Sequence, residues 1–141
     1  MKKFIKIIFI ISLFLFLLYC YLKKEKSPLE NNFPLSIFQI QSGSMMPEIE
    51  IGEIVVLWKC KNYEEKDIIT YKINSYFITH RILKVTEEGY ITKGDSNNTE
   101  DEIVVKKEQI QGKLIFHSKL LGKIYEYRYY LIVILIFLLF V

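Results

Sequence analysis

A chain of 141 residues, about half of them hydrophobic, holds one folded domain at most. Its formal charge of +3 is unevenly spread: residues 1–26 carry six Lys against one Glu, residues 27–124 carry twelve Lys and Arg against fourteen Asp and Glu, and residues 125–141 balance. The basic excess therefore belongs to the N-terminus and the rest is mildly acidic, which excludes the clustered cationic surface that a nucleic-acid partner requires. The two cysteines, Cys20 and Cys60, form no CxxC and no metal-ligand spacing, so neither a shared disulfide nor a metal is expected, and no cofactor is called for.

Residues 4–22 are apolar apart from Lys6 near the edge, and nineteen residues of helix rise roughly 28 Å, close to the hydrocarbon thickness of a bilayer. No small-residue cleavage pattern follows the run, and Tyr19-Cys20-Tyr21 puts bulky side chains where such a pattern would sit. Residues 1–26 are therefore expected to be an uncleaved anchor with basic flanks. Three Lys lie on each side of the span, and the N-terminal amine tips the balance toward a cytoplasmic N-terminus.

Residues 27–34, with Pro28, Pro34 and Asn31-Asn32, read as a linker. A mainly β domain is expected over 35–124. Strand-forming runs occur at 35–40 and 54–58, and alternation of Ile69, Tyr71 and Ile73 with Ile68, Thr70 and Lys72 marks a strand with one face buried. Asn74-Ser75 is a turn signal before a strand at 76–85, and Glu87-Glu88-Gly89 is a second before 90–93. Residues 95–102 form a polar loop, with short strands near 104–105 and 113–116. Helical periodicity is nearly absent between 35 and 118, so the expected fold is a small coiled, barrel-like sheet. At the C-terminus, Tyr125-Glu126-Tyr127-Arg128-Tyr129-Tyr130 suits a headgroup boundary, and Leu131–Val141 is uniformly apolar. With its two preceding tyrosines that run reaches roughly 20 Å, short of a crossing, and is expected to be a membrane-associated segment.

Ser42-Gly43-Ser44-Met45-Met46-Pro47 follows the linker and first strand, with Thr79-His80-Arg81 and Lys93-Gly94-Asp95 through Asp101 downstream. A serine hydroxyl is a poor nucleophile until a neighbouring base takes its proton. Imidazole is a suited acceptor near neutral pH, whereas Arg81 cannot deprotonate. An isolated serine is ordinarily a solvated turn residue and an isolated strand histidine a structural one; His117, in Phe116-His117-Ser118, has no motif around it and is read in that way. A carboxylate to orient the imidazole could come from Asp95 or Asp101.

In order and spacing these boxes resemble the type I signal peptidases. The nearer likeness is to the branch of the endoplasmic reticulum, archaea and some Gram-positive bacteria, in which histidine replaces the catalytic lysine. The resemblance takes in Gly52-Glu53-Ile54-Val55-Val56 (the family often has Asp at position 53), Lys66–Tyr71, Ile78–Ile82, Ile91–Asp101 and Gln109–Lys113. It implies Ser44 as nucleophile, His80 as base and Asp101 as the orienting acid. Asp95 would support the loop through backbone amides, and the Ser42 hydroxyl would assist the Ser44 amide at the oxyanion. The implied activity is a membrane-bound serine endopeptidase that removes signal peptides from exported precursors, with small residues at the first and third positions before the cut. The implied place is the cell or endoplasmic-reticulum membrane, with the domain on the far side. Lipid and precursor proteins are the expected partners, and no accessory subunit is specified. The rival readings are a silent membrane-tethered β domain that binds exported proteins, and a self-cleaving regulatory protease. The latter commonly carries a lysine base and a DNA-reading module, neither of which is evident here.

Overall fold

The computed structural model describes residues 34–140 together with the helical Ile11 and Phe14, and for residues 137, 139 and 140 the backbone only. The expected anchor at 1–26 and linker at 27–34 thus lie, apart from these two residues and Pro34, outside the described residues. Six strands form one antiparallel sheet: β1 (Leu35–Gln39), β2 (Ile54–Trp58), β3 (Ile68–Ile73), β4 (Tyr76–Thr86), β5 (Gly89–Lys93) and β6 (Ile110–Ser118). Their order across the sheet is β1-β2-β6-β3-β4-β5, so the last strand in sequence enters the middle.

That position explains where the strands depart from the sequence pattern. β6 was expected over four residues and runs over nine. It pairs with β2 on one side and β3 on the other, and this backbone pairing carries the strand across Gln111, Gly112 and His117, where apolar alternation fails. The strand expected at 104–105 is reduced to a single bridge, in which Tyr90 and Val105 exchange hydrogen bonds of 2.9 Å in both directions. β3 also differs from its one-faced reading. Ile68, Ile69, Thr70 and Tyr71 are all buried, because the curled sheet covers both faces of this strand.

Two apolar clusters hold the sheet. One joins Tyr63, Ile69, Tyr71, Ile82, Tyr90, Val105 and Ile110; the other joins Ile40, Met45, Ile49, Val55, Leu57 and Ile68. Fully burying side chains of this size stabilises the fold by about 1.5–3 kcal/mol each. The second cluster includes Met45 and Ile49 from the β1–β2 connection, so the chain just beyond Ser44 is fastened to the core. Its turn is closed by the Ile49 amide donating to the Met45 carbonyl at 3.0 Å and that of Gly52 donating to Ile40 at 2.8 Å.

Two helices follow β6: α1 (Lys119–Glu126) and α2 (Arg128–Phe140). α1 was not anticipated, since two turns are too few for a clear helical period. Ser118 caps it by accepting from the Leu121 amide at 3.3 Å. α2 exposes Tyr129, Tyr130, Leu131, Val133, Ile134, Leu135 and Leu138. Among the described residues no helix is long and apolar enough to cross a membrane.

α1 meets the sheet through Gly122, the one buried residue of the helix, where an added Cβ would lie 2.1 Å from the Gly52 carbonyl oxygen. Ala at this position would gain about 1 kcal/mol of helix propensity, but a backbone carbonyl cannot step aside as a flexible side chain can. Gly122→Ala should therefore lower stability by about 1–3 kcal/mol in a urea titration, whereas Leu120→Ala, at an exposed position of the same helix, should change it little.

Candidate active site

Three elements meet at the middle of β4, where the pairing with β5 begins one residue beyond His80. Ser44 stands in the turn after β1, His80 lies within β4, and Asp101 belongs to the loop that leaves β5. His80 Nε2 is 3.1 Å from Ser44 Oγ, and His80 Nδ1 is 2.7 Å from Asp101 Oδ2. The imidazole is thus held at both nitrogens, with 7% of the residue exposed. Alternation along β4 explains its direction: His80 shares the face of Ile78 and Ile82, which looks into the first apolar cluster. An imidazole that faces a carboxylate through Nδ1 presents Nε2 as an acceptor to the hydroxyl, the arrangement needed to draw a proton from Ser44.

Asp101 is more heavily bonded than the sequence suggested. Its Oδ2 also accepts from Thr92 Oγ1 at 2.6 Å and from Tyr71 Oη at 3.0 Å. The Asp101 amide donates to the Thr92 carbonyl at 2.8 Å, which fixes the loop to β5. Burial, and after it the nearby Asp101 charge, raises the Tyr71 phenol well above its ordinary value, so the group remains a donor. Neither Tyr71 nor Thr92 was singled out in the sequence, because a buried Tyr and Thr on alternating strands read as core.

Asp95 behaves differently from its expected part. Its carboxylate takes a two-pronged bond from Arg81, Nε to Oδ1 at 2.8 Å and Nη2 to Oδ2 at 2.6 Å, in place of backbone amides. Arg81, read only as a residue unable to act as base, is thereby a structural partner, and its guanidinium is held more firmly protonated by Asp95. The loop contacts the serine turn through the next residue instead. The Ser96 amide donates to the Ser44 carbonyl at 2.9 Å, and Ser96 Oγ donates to the Gly43 carbonyl at 2.8 Å. Gly94 makes this approach possible, since a Cβ there would lie 2.6 Å from the Ser44 carbonyl oxygen.

Ser42 Oγ lies 3.4 Å from Ser44 Oγ, on the same open side. His117 stands apart from this group and pairs instead with the buried Glu53, Nδ1 to Oε2 at 2.6 Å. Beside Ser44 and His80 opens a groove of about 590 Å³, walled by Phe38, Ile40, Met45, Tyr76, Phe77 and Ile78.

Comparison with known proteins gives the same direction. Signal peptidase I W of Bacillus subtilis (strain 168) is 29% identical over 89 residues, which is 57% of this chain and 47% of the relative. The signal peptidase complex catalytic subunits SEC11 of Candida tropicalis and Candida albicans are 36% and 35% identical over 81 and 82 residues, in each case 52% of this chain and 49% of the relative. Over about half its length the chain is similar to proteins named as signal peptidases. It spans about half the length of the relatives it matches. No protein-family model matches it.

The Arg81–Asp95 pair is partly shielded, its side chains being 28% and 19% exposed. A cycle of Arg81→Met, Asp95→Asn and the double change, read by urea unfolding, should give a coupling of about 1 kcal/mol. That lies between the values for exposed pairs and for hydrogen bonds to charged groups. Tyr71 supplies a pH test. Its phenol titrates higher in the folded than in the unfolded chain, so its contribution to stability is complete below the unfolded value of roughly 10 and is lost as pH rises from there. Melting temperature should fall above that pH, and Tyr71→Phe should make the fall shallower.

Proposed function

We propose that this chain acts as a membrane-bound serine endopeptidase that cleaves signal peptides from exported precursors. The observation that carries the proposal is the continuous line of contacts from Ser44 Oγ through His80 to Asp101 Oδ2. Ser44 attacks the scissile carbonyl while His80 Nε2 takes its proton. The resulting imidazolium is stabilised by Asp101, and His80 then returns the proton to the leaving amine. The Ser44 amide and the Ser42 hydroxyl are the proposed donors to the oxyanion. Water, activated in the same way, releases the acyl group. Asp95 supports the loop through Arg81 rather than touching the reacting atoms.

The groove suits an extended peptide. β1 pairs with β2 along one edge only, and the Tyr76–His80 stretch of β4 pairs with β3 only, β5 joining from Arg81 onward. Two unpaired strand edges beside the serine can both bond the backbone of a substrate strand. Small residues at the first and third positions before the cut are what the resemblance to the type I signal peptidases implies. The apolar N-terminal run as anchor, a cytoplasmic N-terminus, a domain on the far side and a lipid-contacting α2 complete the proposal. Confinement at the bilayer would keep the serine close to the emerging end of a signal peptide. No observation favours a silent binding domain.

Ser44→Ala should leave membrane fractionation and melting unchanged, while processing of a precursor in liposomes falls by roughly 10³-fold or more. His80→Ala should do the same, and His117→Ala should retain near-normal cleavage. Equal damage from His117→Ala, with its melting intact, would remove His80 from the proposed part, and full cleavage by Ser44→Ala would remove the enzyme assignment itself.

A further inference from the structure

Asp101 Oδ2 is crowded by three donors, one from each of three strands: Tyr71 Oη from β3, His80 Nδ1 from β4 and Thr92 Oγ1 from β5. The two hydroxyls also lie 3.1 Å from each other. Each has one proton to give, and an ionised carboxylate only accepts. Both hydroxyls are placed to give their protons to Asp101 Oδ2, at 3.0 and 2.6 Å, and either can also accept from the other. Thr92 is wholly buried and Tyr71 is 1% exposed, so both hydroxyls are shielded from solvent and depend on protein partners. A hydroxyl buried on a β face without such a partner would cost more than the Val or Phe of the same shape.

We propose that Tyr71 and Thr92 are positioning residues that act on His80 through Asp101: they aim Oδ2 at Nδ1 and divide the carboxylate's charge among three donors. The proposal rests on the peptidase reading for its catalytic consequence, but not for its physical content. With the hydroxyls present, the Asp101 charge is partly answered before His80 accepts a proton, so the imidazolium is stabilised only moderately and can give its proton to the leaving group. Without them the imidazole alone answers the charge and holds its proton longer. The charged pair next to His80 along β4 is Arg81–Asp95, and Glu48 adds to the field on Arg81. None of them changes in the variants below.

The test uses the full chain in liposomes or detergent with Thr92→Val, Tyr71→Phe and the conservative Thr92→Ser. Two readouts are followed: the pH profile of precursor cleavage, and the pH titration of the His80 ring resonances by NMR, which needs no activity. Thr92→Val and Tyr71→Phe should each lower kcat about tenfold with little change in KM, as for one lost hydrogen bond to a charged group. Each should also move the acid limb, and the His80 resonance titration with it, about one unit to higher pH. Thr92→Ser should restore both. In an Asp101→Asn background, Thr92→Val and Tyr71→Phe should cost nothing further, because their effect passes through the carboxylate. An unmoved His80 titration in both variants, or full additivity with Asp101→Asn, would overturn the proposal and leave the two hydroxyls as core packing. If the wild-type chain cleaves no precursor, the peptidase reading fails on its own, and the NMR titration still decides whether the hydroxyls act on His80.

Discussion

A single carboxylate oxygen ties the loop after β5 to the strands around it. Asp101 Oδ2 receives donors from β3, β4 and β5, while the Asp101 amide is bonded to Thr92. The carboxylate is half-buried, and its donors Thr92 and His80 are buried, so each of them left without this acceptor would cost about 1–3 kcal/mol. Among the described residues no buried side-chain nitrogen or oxygen lacks a partner. The sheet must therefore assemble in one register for the carboxylate to be satisfied, and that register also directs His80 toward Ser44.

The serine turn is held from two sides. Met45 and Ile49 bury its far end in the apolar cluster on β2, and Ser96 bonds the carbonyls of Gly43 and Ser44 from the opposite loop. Gly94 lets that loop come close, and the Arg81–Asp95 pair braces the loop to β4 one residue beyond His80. Side chains in the two halves of the Lys93–Asp101 segment thus have different duties. The first half orders the serine turn and the second meets the imidazole. Preorganisation of this sort matters because a shift of about 1 Å between reacting groups is enough to slow chemistry by about two orders of magnitude.

Polar and apolar surfaces are also divided along the chain. Glu53 pairs with His117 at the start of β2, beside the glycine contact that seats α1. Beyond that point α2 exposes aliphatic and tyrosine side chains around its described length. Such a surface has no polar face to offer water, and this is the physical ground for placing it against lipid in the proposed arrangement.

Strand content and the order of the chemical groups are legible in the chain's local patterns. Alternation marked β3, turn residues delimited β4 and β5, and the boxes around Ser44, His80 and Asp101 pointed to a hydroxyl, an imidazole and a carboxylate. The same patterns also separated His80 from His117, because one lies in a family-like box and the other does not. These are local properties, written in periods of two and in short spacings. Which groups touch is set by the folded sheet. That β6 enters between β2 and β3, that Asp95 meets Arg81 while Asp101 meets His80, and that Tyr71 and Thr92 converge on one oxygen all depend on contacts between residues far apart in sequence. No local pattern encodes those contacts, because each hydrogen bond is chosen by the curl and register of the whole sheet.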